Sequence, residues 1–412
     1  MTSGLSFLVA ARQCEIGELE HLALTSELVS VIGRLIHGLQ KERGMSNMYL
    51  ASRGSRFGGQ RLAQIGECNV LELHVRERLA ALDTDAHRAR NGARLFSRIA
   101  VVLHALDGLP ALRQRVTTQA LSPEASTAAF VRLVAGLLSV VFEAADSASD
   151  PAISRALVAL FNFMQGKEFA GQERALGAAV FASGHADAGL QPHWQHLIES
   201  QQRCFEVFAD FSDATVRAAW ADSQPAEARA TLERLRRLGS VAGLNGPLDA
   251  DLSHTWYDCA TSRIDAMQSV EALLAEQLRT LCRQRIEQAR AELRNQQATL
   301  QALAREAGAA DIAATDATEA PAPLTPHLER SVLGMVQEQS RRLQSMGDEL
   351  ETVRAALNER KVVERAKGLL MAARKLSEAD AYAMLRQTAM SQNRKLVDVA
   401  ESVLAMSDYL GA

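Results

Sequence analysis

Glu42-Arg43, followed by Leu50-Ala51-Ser52, recurs as Glu173-Arg174, followed by Phe181-Ala182-Ser183. Each residue of the second copy lies 131 positions after its counterpart in the first. A repeat at a constant spacing is typical of a duplicated structural unit. The repeat predicts two related helical bundles, each contributing one such helix. The alternative is a chance similarity between two alanine-rich helices.

The composition favours helices along the whole chain. Only 5% of the 412 residues are aromatic, and no run of alternating β-branched residues marks a strand. The predicted fold class is all-α. Two four-helix-bundle-like halves form a large N-terminal body, and a coiled-coil helix then leads into a small three-helix domain. The five cysteines are far apart and form no Cys-x-x-Cys pair, which indicates reduced thiols rather than a zinc site.

Domain boundaries follow from composition and period. We predict a body over residues 12–305, a linker over 306–327, a coiled-coil segment over 328–357 and a C-terminal domain over 358–410. The linker is rich in Ala, Pro and Thr, which is typical of a solvated segment. Two interleaved sets of apolar residues then follow at heptad spacing: Val336, Leu343, Leu350 and Leu357, with Met346 and Val353. Three such heptads indicate a coiled coil between two chains of a homodimer. The alternative is that this stripe packs on the body of its own chain.

The N-terminus does not have the pattern of a signal peptide. It has no basic leader, and Arg12 interrupts its first apolar run. The longest apolar run, residues 133–142, is shorter than the roughly 20 residues that span a bilayer. We therefore expect a cytoplasmic protein with no membrane insertion.

Two helices bring arginines toward an apolar interior. Arg43 lies four residues after Leu39, and Arg236 lies four residues after Leu232, with Arg237 beside it. A guanidinium group is always charged at physiological pH, so a buried one needs a partner. Arginines that converge in a bundle would repel one another, and a small oxyanion between them would relieve that repulsion. Planar nitrate or nitrite suits the guanidinium fork. For any single arginine, the ordinary alternative is a path to solvent or a carboxylate on a neighbouring helix.

The last fifty or so residues predict three short helices. Their apolar faces are Val362, Val363, Ala366, Leu369, Leu370 and Ala373, then Tyr382, Leu385 and Ala389, then Leu396, Ala400, Val403 and Leu404. Ser377 and Asp380 have the spacing of a capping box and predict the start of the second helix. From residue 358 onward, nine Lys and Arg stand against seven Asp and Glu. That excess alone is too small to indicate nucleic-acid binding.

The C-terminal segment closely resembles an ANTAR domain, the RNA-binding output module of bacterial transcription antiterminators. The matching runs are Ala366-Lys367-Gly368-Leu369-Leu370-Met371, Leu385-Arg386, and Asn393-Arg394-Lys395-Leu396 with Val399-Ala400. Lys375 stands where the family commonly has a glycine, and a non-glycine residue makes a left-handed helix cap less favourable. The resemblance implies an mRNA leader hairpin as partner, with transcribing RNA polymerase affected indirectly. The basic residues that would contact the RNA are Arg365, Lys367, Arg374, Arg386, Arg394 and Lys395.

The body resembles the nitrate- and nitrite-sensing NIT domain. The matching runs are Leu39-Gln40-Lys41-Glu42-Arg43-Gly44, Phe163-Met164-Gln165-Gly166-Lys167-Glu168, Ala170-Gly171-Gln172-Glu173-Arg174-Ala175-Leu176-Gly177, and Leu235-Arg236-Arg237. The resemblance implies that arginines of two helices hold the anion, which corresponds here to Arg43 with Arg236 or Arg237. Arg174 joins the candidate set through the repeat. The whole chain then resembles a nitrate-responsive antiterminator.

Other chemistry has weaker support in the sequence. A di-iron bundle needs two Glu-x-x-His helices and two further carboxylates, and the chain offers one, Glu18 with His21. His193 and His196 lack a convincing third metal ligand. No phosphate loop or nucleophile motif is present, so no enzyme activity, catalytic residue, metal or cofactor is expected. The rival function is a helical adaptor that recruits a protein partner through its coiled coil.

Overall fold

The computed structural model describes residues 4–82, 93–183, 190–240, 249, 251–314, 326–376 and 378–410. The all-α prediction is confirmed, because the regular structure in these ranges consists of helices. In chain order the helices are α1 (Gly4–Ala51), α2 (Gly58–Ala80), α3 (Ala93–Asp107), α4 (Leu109–Thr117), α5 (Pro123–Ser147), α6 (Pro151–Ser183), α7 (Leu190–Phe211), α8 (Ala214–Asp222), α9 (Ala226–Ser240), α10 (Leu252–Ala314), α11 (Pro326–Arg374), α12 (Glu378–Ser391) and α13 (Leu396–Leu410).

The body consists of α1 to α10 and is built around three long helices. Helices α1, α6 and α10 pack on one another, α5 and α2 cover α1, and α7 covers α6. One apolar core runs through these contacts and includes Leu35, Phe130, Leu157 and Met267. The two predicted halves therefore share a continuous core.

A second, smaller apolar cluster lies where α6, α7, α9 and α10 meet. Trp194 and Trp256 pack edge to face there, with ring centroids 5.3 Å apart. The backbone of α6 approaches Trp256 at Gly177, where an added β-carbon would lie 2.3 Å from the indole ring. Only glycine leaves room for the indole at this contact.

The predicted linker begins within a helix. Helix α10 continues to Ala314, past the predicted domain end at residue 305. The alanine-rich composition that suggested a linker is also a good helix-forming composition. Residues 315–325, the rest of the predicted linker, lie outside the described residues.

Helix α11 joins the predicted coiled-coil segment to the first helix of the C-terminal domain without a break. Val353 and Leu357 are buried in the core of the chain's own body. Leu343 is 59% exposed and Val336 is 40% exposed. The second half of the heptad stripe therefore packs within the chain, as the alternative predicted, and the first half has exposed apolar side chains.

The end of α11, with α12 and α13, forms a small domain over residues 358–410, called the output domain below. Its core contains Ala366, Leu370, Leu385 and Val399, among others. Helix α11 ends at Arg374, and Lys375 adopts a left-handed φ of 54°. The predicted Ser377 cap lies outside the described residues.

Tyr382 was predicted to lie in the core of the output domain, but it packs against the body instead. Its side chain is buried by α7 of the body, with its ring 4.7 Å from that of His196 and the Arg203 guanidinium 4.5 Å from its centroid. The apolar period identified a covered face of α12. It could not tell which domain covers it.

Three helical segments are long and apolar enough to cross a membrane by length and composition: Phe7–Ala51, Ala93–Thr117 and Pro123–Ser147. Charged residues interrupt these segments, so none of them is an unbroken apolar run of this length. The first segment carries Glu42 and Arg43 in the folded interior. The absence of membrane insertion stays a prediction.

Candidate anion site and output surface

Arg43 on α1 and Arg174 on α6 converge on a small cavity inside the body. Their exposed fractions are 3% and 9%. The cavity, of about 30 Å³, is called the anion cavity below. One water molecule needs roughly 10–15 Å³ by this measure, so the space suits a small guest. It is lined by Arg43, Gly44, Asn47, Met48, Thr127, Gly171, Arg174, Ala175, Ala178 and Tyr257.

The repeated Glu-Arg pairs explain why the two arginines meet there. Glu42 accepts two hydrogen bonds from Arg113, both of 2.8 Å. Its counterpart Glu173 accepts two from Arg236, both of 2.7 Å. Neighbouring residues on a helix point about 100° apart. Each glutamate therefore faces its own partner arginine, which leaves the following arginine free to face the cavity.

Arg43 uses part of its guanidinium group within the protein. Its Nη1 donates to Glu168 on α6. Its Nη2 is buried, and no hydrogen-bond acceptor reaches it within the described ranges. The Oγ1 atom of Thr127, which also lines the cavity, is buried and unpartnered in the same way. Buried donors without acceptors are rare in proteins, so both atoms are candidates for contact with a small guest.

Arg174 is held from the opposite side of the cavity. Its Nη1 donates to Thr261 Oγ1 over 3.0 Å, and its guanidinium lies 5.2 Å from the ring centroid of Tyr257. Burial lowers the pKa of Arg174, and the nearby charge of Arg43 lowers it further. A negative charge between Arg43 and Arg174 would offset both effects.

Two glycines let the arginine tips approach the helix backbones. A β-carbon at position 171 would lie 2.7 Å from Arg43 Nη2, and one at position 44 would lie 3.2 Å from Arg174 Nη2. The backbone of each helix therefore lies so close to the arginine of the other helix that a side chain at either glycine would displace the guanidinium group.

The structure does not bring the other two predicted arginines, Arg236 and Arg237, to the cavity that Arg43 lines. Arg236 does point inward, but Glu173 already neutralises it, which is the ordinary alternative given above. Arg237 is exposed on α9. Neither residue lines the anion cavity. Arg174, which the repeat adds to the candidate set, lines the cavity together with Arg43.

The basic residues predicted to contact RNA fall into three groups. Lys367 is buried and pairs with Glu364 and Glu378 at 3.0 and 2.8 Å. Arg386 is half-buried and lies 2.9 Å from Glu199 of the body. The remaining four are exposed: Arg365, Arg374, Arg394 and Lys395.

The output domain docks on α5, α6 and α7 of the body. Besides Tyr382 and Arg386, Arg360 lies 4.7 Å from the ring centroid of Phe161, and Lys361 lies 2.6 Å from Asp146. Burial, with the charge of Lys367, lowers the pKa of His196 to about 4. The contact therefore combines rings, ion pairs and a neutral buried histidine.

Comparison with known proteins assigns both regions. Residues 34–279 match the family described as "Nitrate and nitrite sensing" (NIT), and residues 351–404 match the ANTAR domain. The chain is 32% identical over 405 residues to the "Nitrate regulatory protein" of Klebsiella oxytoca, which covers 98% of this chain and 95% of that one.

This chain belongs to the NIT family.

A solved structure, described as the NasR transcription antiterminator, is similar to this NIT chain along nearly its whole length. The TM-score is 0.62 at 30% identity, with 98% of this chain and 99% of that chain covered. The NIT match contains Arg43 and Arg174, and the ANTAR match contains all six predicted RNA-contacting residues.

Several residues of this NIT chain's cavity were not found from the sequence. Thr127 and Tyr257 lie on α5 and α10, and no local motif marks them. Gly171 could have been noticed as a glycine within an otherwise strong helix pattern, which often has a packing reason. Among the described residues, no group of three His, Cys, Asp or Glu side chains could hold a metal ion.

Proposed function

We propose that this NIT chain is a nitrate- and nitrite-responsive transcription antiterminator. Anion binding in the cavity between Arg43 and Arg174 would release the output domain, which then binds an mRNA leader hairpin. The observation that carries the proposal is the buried convergence of Arg43 and Arg174, with an unpartnered donor, Arg43 Nη2, lining the cavity.

The donor set suits a flat, monovalent oxyanion. Arg43 Nη2 and Thr127 Oγ1 have no hydrogen-bond partner among the described residues, and Arg174 supplies a second guanidinium. Charge-assisted hydrogen bonds are worth roughly 1.5–3 kcal/mol each. A few of them in a desolvated site are enough for a micromolar affinity, about −8 kcal/mol.

Helix α6 offers a direct physical link between the anion and the output domain. It carries Arg174 at the cavity and Phe161 at the contact with Arg360 of α11. A ligand shifts the equilibrium between the docked and the undocked output domain only if it binds one of these two states more tightly. A hundredfold preference for the undocked state would supply about 2.7 kcal/mol.

Docking on the body would keep the output domain from RNA. Arg386 is engaged by Glu199, and the ring of Tyr382 is covered by His196 and Arg203. Undocking would expose Arg386 beside the cations that are already exposed, Arg365, Arg374, Arg394 and Lys395. Lys367 would become available only if its ion pairs with Glu364 and Glu378 also break. Exposed cations suit the phosphates and looped bases of a hairpin. Holding that hairpin would prevent a terminator from forming, so polymerase continues.

The assembly proposed is a cytoplasmic homodimer with no catalytic role. The exposed side chains of Leu343 and Val336 on α11 support pairing of two chains. Sedimentation of wild type and Leu343→Glu tests this part. A dimer that the substitution leaves intact would refute pairing through this segment.

An RNA gel shift with and without nitrate tests the function as a whole. Nitrate should raise affinity for a leader hairpin, and Arg386→Ala should lower it. No hairpin binding at low salt, with or without nitrate, would favour the protein-binding adaptor instead.

A further inference from the structure

The charges around the anion cavity do not cancel. Arg43 and Arg174 bring two positive charges, and Glu168 brings one negative charge through its ion pair with Arg43. Nearby Glu42 and Glu173 are each neutralised by an arginine of their own. Glu168 pairs with Arg43 without itself lining the cavity. Arg43, Arg174 and Glu168 together therefore carry a net charge of plus one.

The other charged groups of this region lie outside the cavity lining. Arg61 is buried and donates to Ser46, Thr117 and the Arg113 carbonyl, and Arg263 donates to Gln201. Lys167 and Glu271 are both buried and pair with each other at 2.6 Å. Lys41 and Asp265, which face the region from α1 and α10, are exposed to solvent. Water and salt screen exposed charges far more than buried ones.

Glu168 is fixed in place by three donors. Arg43 Nη1 donates to its Oε1, Gln172 Nε2 donates to the same oxygen over 2.9 Å, and Gln40 Nε2 donates to Oε2 over 2.8 Å. The residue is 2% exposed. A carboxylate held in this way stays beside Arg43 when a guest enters.

We propose that Glu168 sets the valence of the anion that the cavity accepts. With Glu168 in place, one monovalent anion brings the buried charge to zero. A divalent oxyanion such as sulfate would leave one uncompensated negative charge in a dry site, which is strongly unfavourable. Glu168 is thus a specificity-determining residue rather than only a structural partner of Arg43. This inference rests on the proposed function.

Calorimetry with sodium nitrate and sodium sulfate tests the proposal on the full-length chain. Glu168→Gln removes one negative charge at nearly constant shape and should lower the ratio of the sulfate Kd to the nitrate Kd by tenfold or more. Glu168→Asp keeps the charge and should keep the wild-type ratio. Glu206→Gln, an exposed site on α7 away from the cavity, is the control for charge removal in general. An unchanged ratio in a folded Glu168→Gln protein would overturn the proposal.

A second variant covers the case in which Glu168→Gln does not fold. Asn47→Lys adds a positive charge at the half-buried wall of the cavity and leaves Glu168 untouched. It should also favour sulfate relative to nitrate. A folded Asn47→Lys protein that still binds nitrate and keeps the wild-type ratio would overturn the proposal. If wild type binds no nitrate, the proposed function itself fails, which is a different result.

Discussion

Arg386 of the output domain lies 2.9 Å from the carboxylate of Glu199 on α7 of the body. The Arg386 side chain is 43% exposed, so this ion pair is worth only about 0–1 kcal/mol. The ion pair orients the docked output domain. The contact between Tyr382 and His196 buries more surface than this half-exposed pair does.

Reversing the charge at Glu199 should therefore release the output domain. We expect Glu199→Arg to raise hairpin affinity several-fold without nitrate, because the new arginine would repel Arg386. A neutral substitution would remove only a weak ion pair and should have a smaller effect. A gel shift measures the change. Glu206→Arg, exposed on the same helix, is the matched control. Equal affinity of Glu199→Arg and wild type would show that this contact does not restrain the domain.

Filling the space beside Arg43 should block the anion. In Gly171→Ala the new methyl group would lie 2.7 Å from Arg43 Nη2, so the unpartnered donor must move. We expect nitrate affinity to fall by about tenfold, roughly 1.4 kcal/mol. Gly66→Ala, where a β-carbon meets nothing within 4 Å, should bind nitrate as wild type does. Calorimetry that finds no loss in Gly171→Ala would place the anion elsewhere.

Docking should weaken as the pH falls from about 6.5 toward 4. The folded pKa of His196 is lowered to about 4 from 6.5, so protonation favours states in which this ring is free. His193, whose pKa burial also lowers, acts in the same direction. Glu378 has a lowered pKa despite its burial, through Lys367, so its contribution is lost only below its ordinary value of 4.5.

Small-angle scattering between pH 7.5 and 5 measures this pH dependence. The radius of gyration should increase on acidification in wild type and change less in His196→Gln. An identical pH response in the two proteins would rule out His196 as the titrating group.

The contact between Gly177 and Trp256 should be intolerant of a methyl group. Gly177→Ala would put a β-carbon 2.3 Å from the fully buried indole, and overpacking of this kind costs about 1–3 kcal/mol. The indole Nε1 also donates to the Arg174 carbonyl over 3.0 Å, so nitrate affinity should fall too. Urea unfolding measures the stability change, with Gly347→Ala as a control in open space. Equal unfolding midpoints for Gly177→Ala and wild type would contradict this packing.

The sequence predicted which arginines point into the body better than it predicted their partners. Helical period correctly brought Arg43 and Arg236 inward, because each lies four residues after a core leucine. The helical period does not show which inward-pointing arginine pairs with a carboxylate. Arg236 pairs with Glu173, which is 63 residues away in the chain, so no local pattern predicts the pair. The repeat identified Arg174 because duplication relates positions that no local pattern connects.

The sequence was less informative about where helices end and about which surface covers each apolar face. Helix α10 continues through an alanine-rich stretch that was interpreted as linker, since alanine suits both. Tyr382 and the Val353–Leu357 part of α11 were predicted to be covered, but their partners are distant helices of the body. The spacing of apolar residues along the chain identifies a face that will be buried, but not the surface that will cover that face.

The most direct test of the account is a calorimetric titration of nitrate into three proteins: wild type, Arg174→Gln, and the double variant Glu173→Gln with Arg236→Gln. We expect Arg174→Gln to lose nitrate binding. The double variant removes a buried ion pair as a unit, so it should bind nitrate within a few-fold of wild type. Nitrate binding that survives in Arg174→Gln and is lost in the double variant would contradict a site between Arg43 and Arg174.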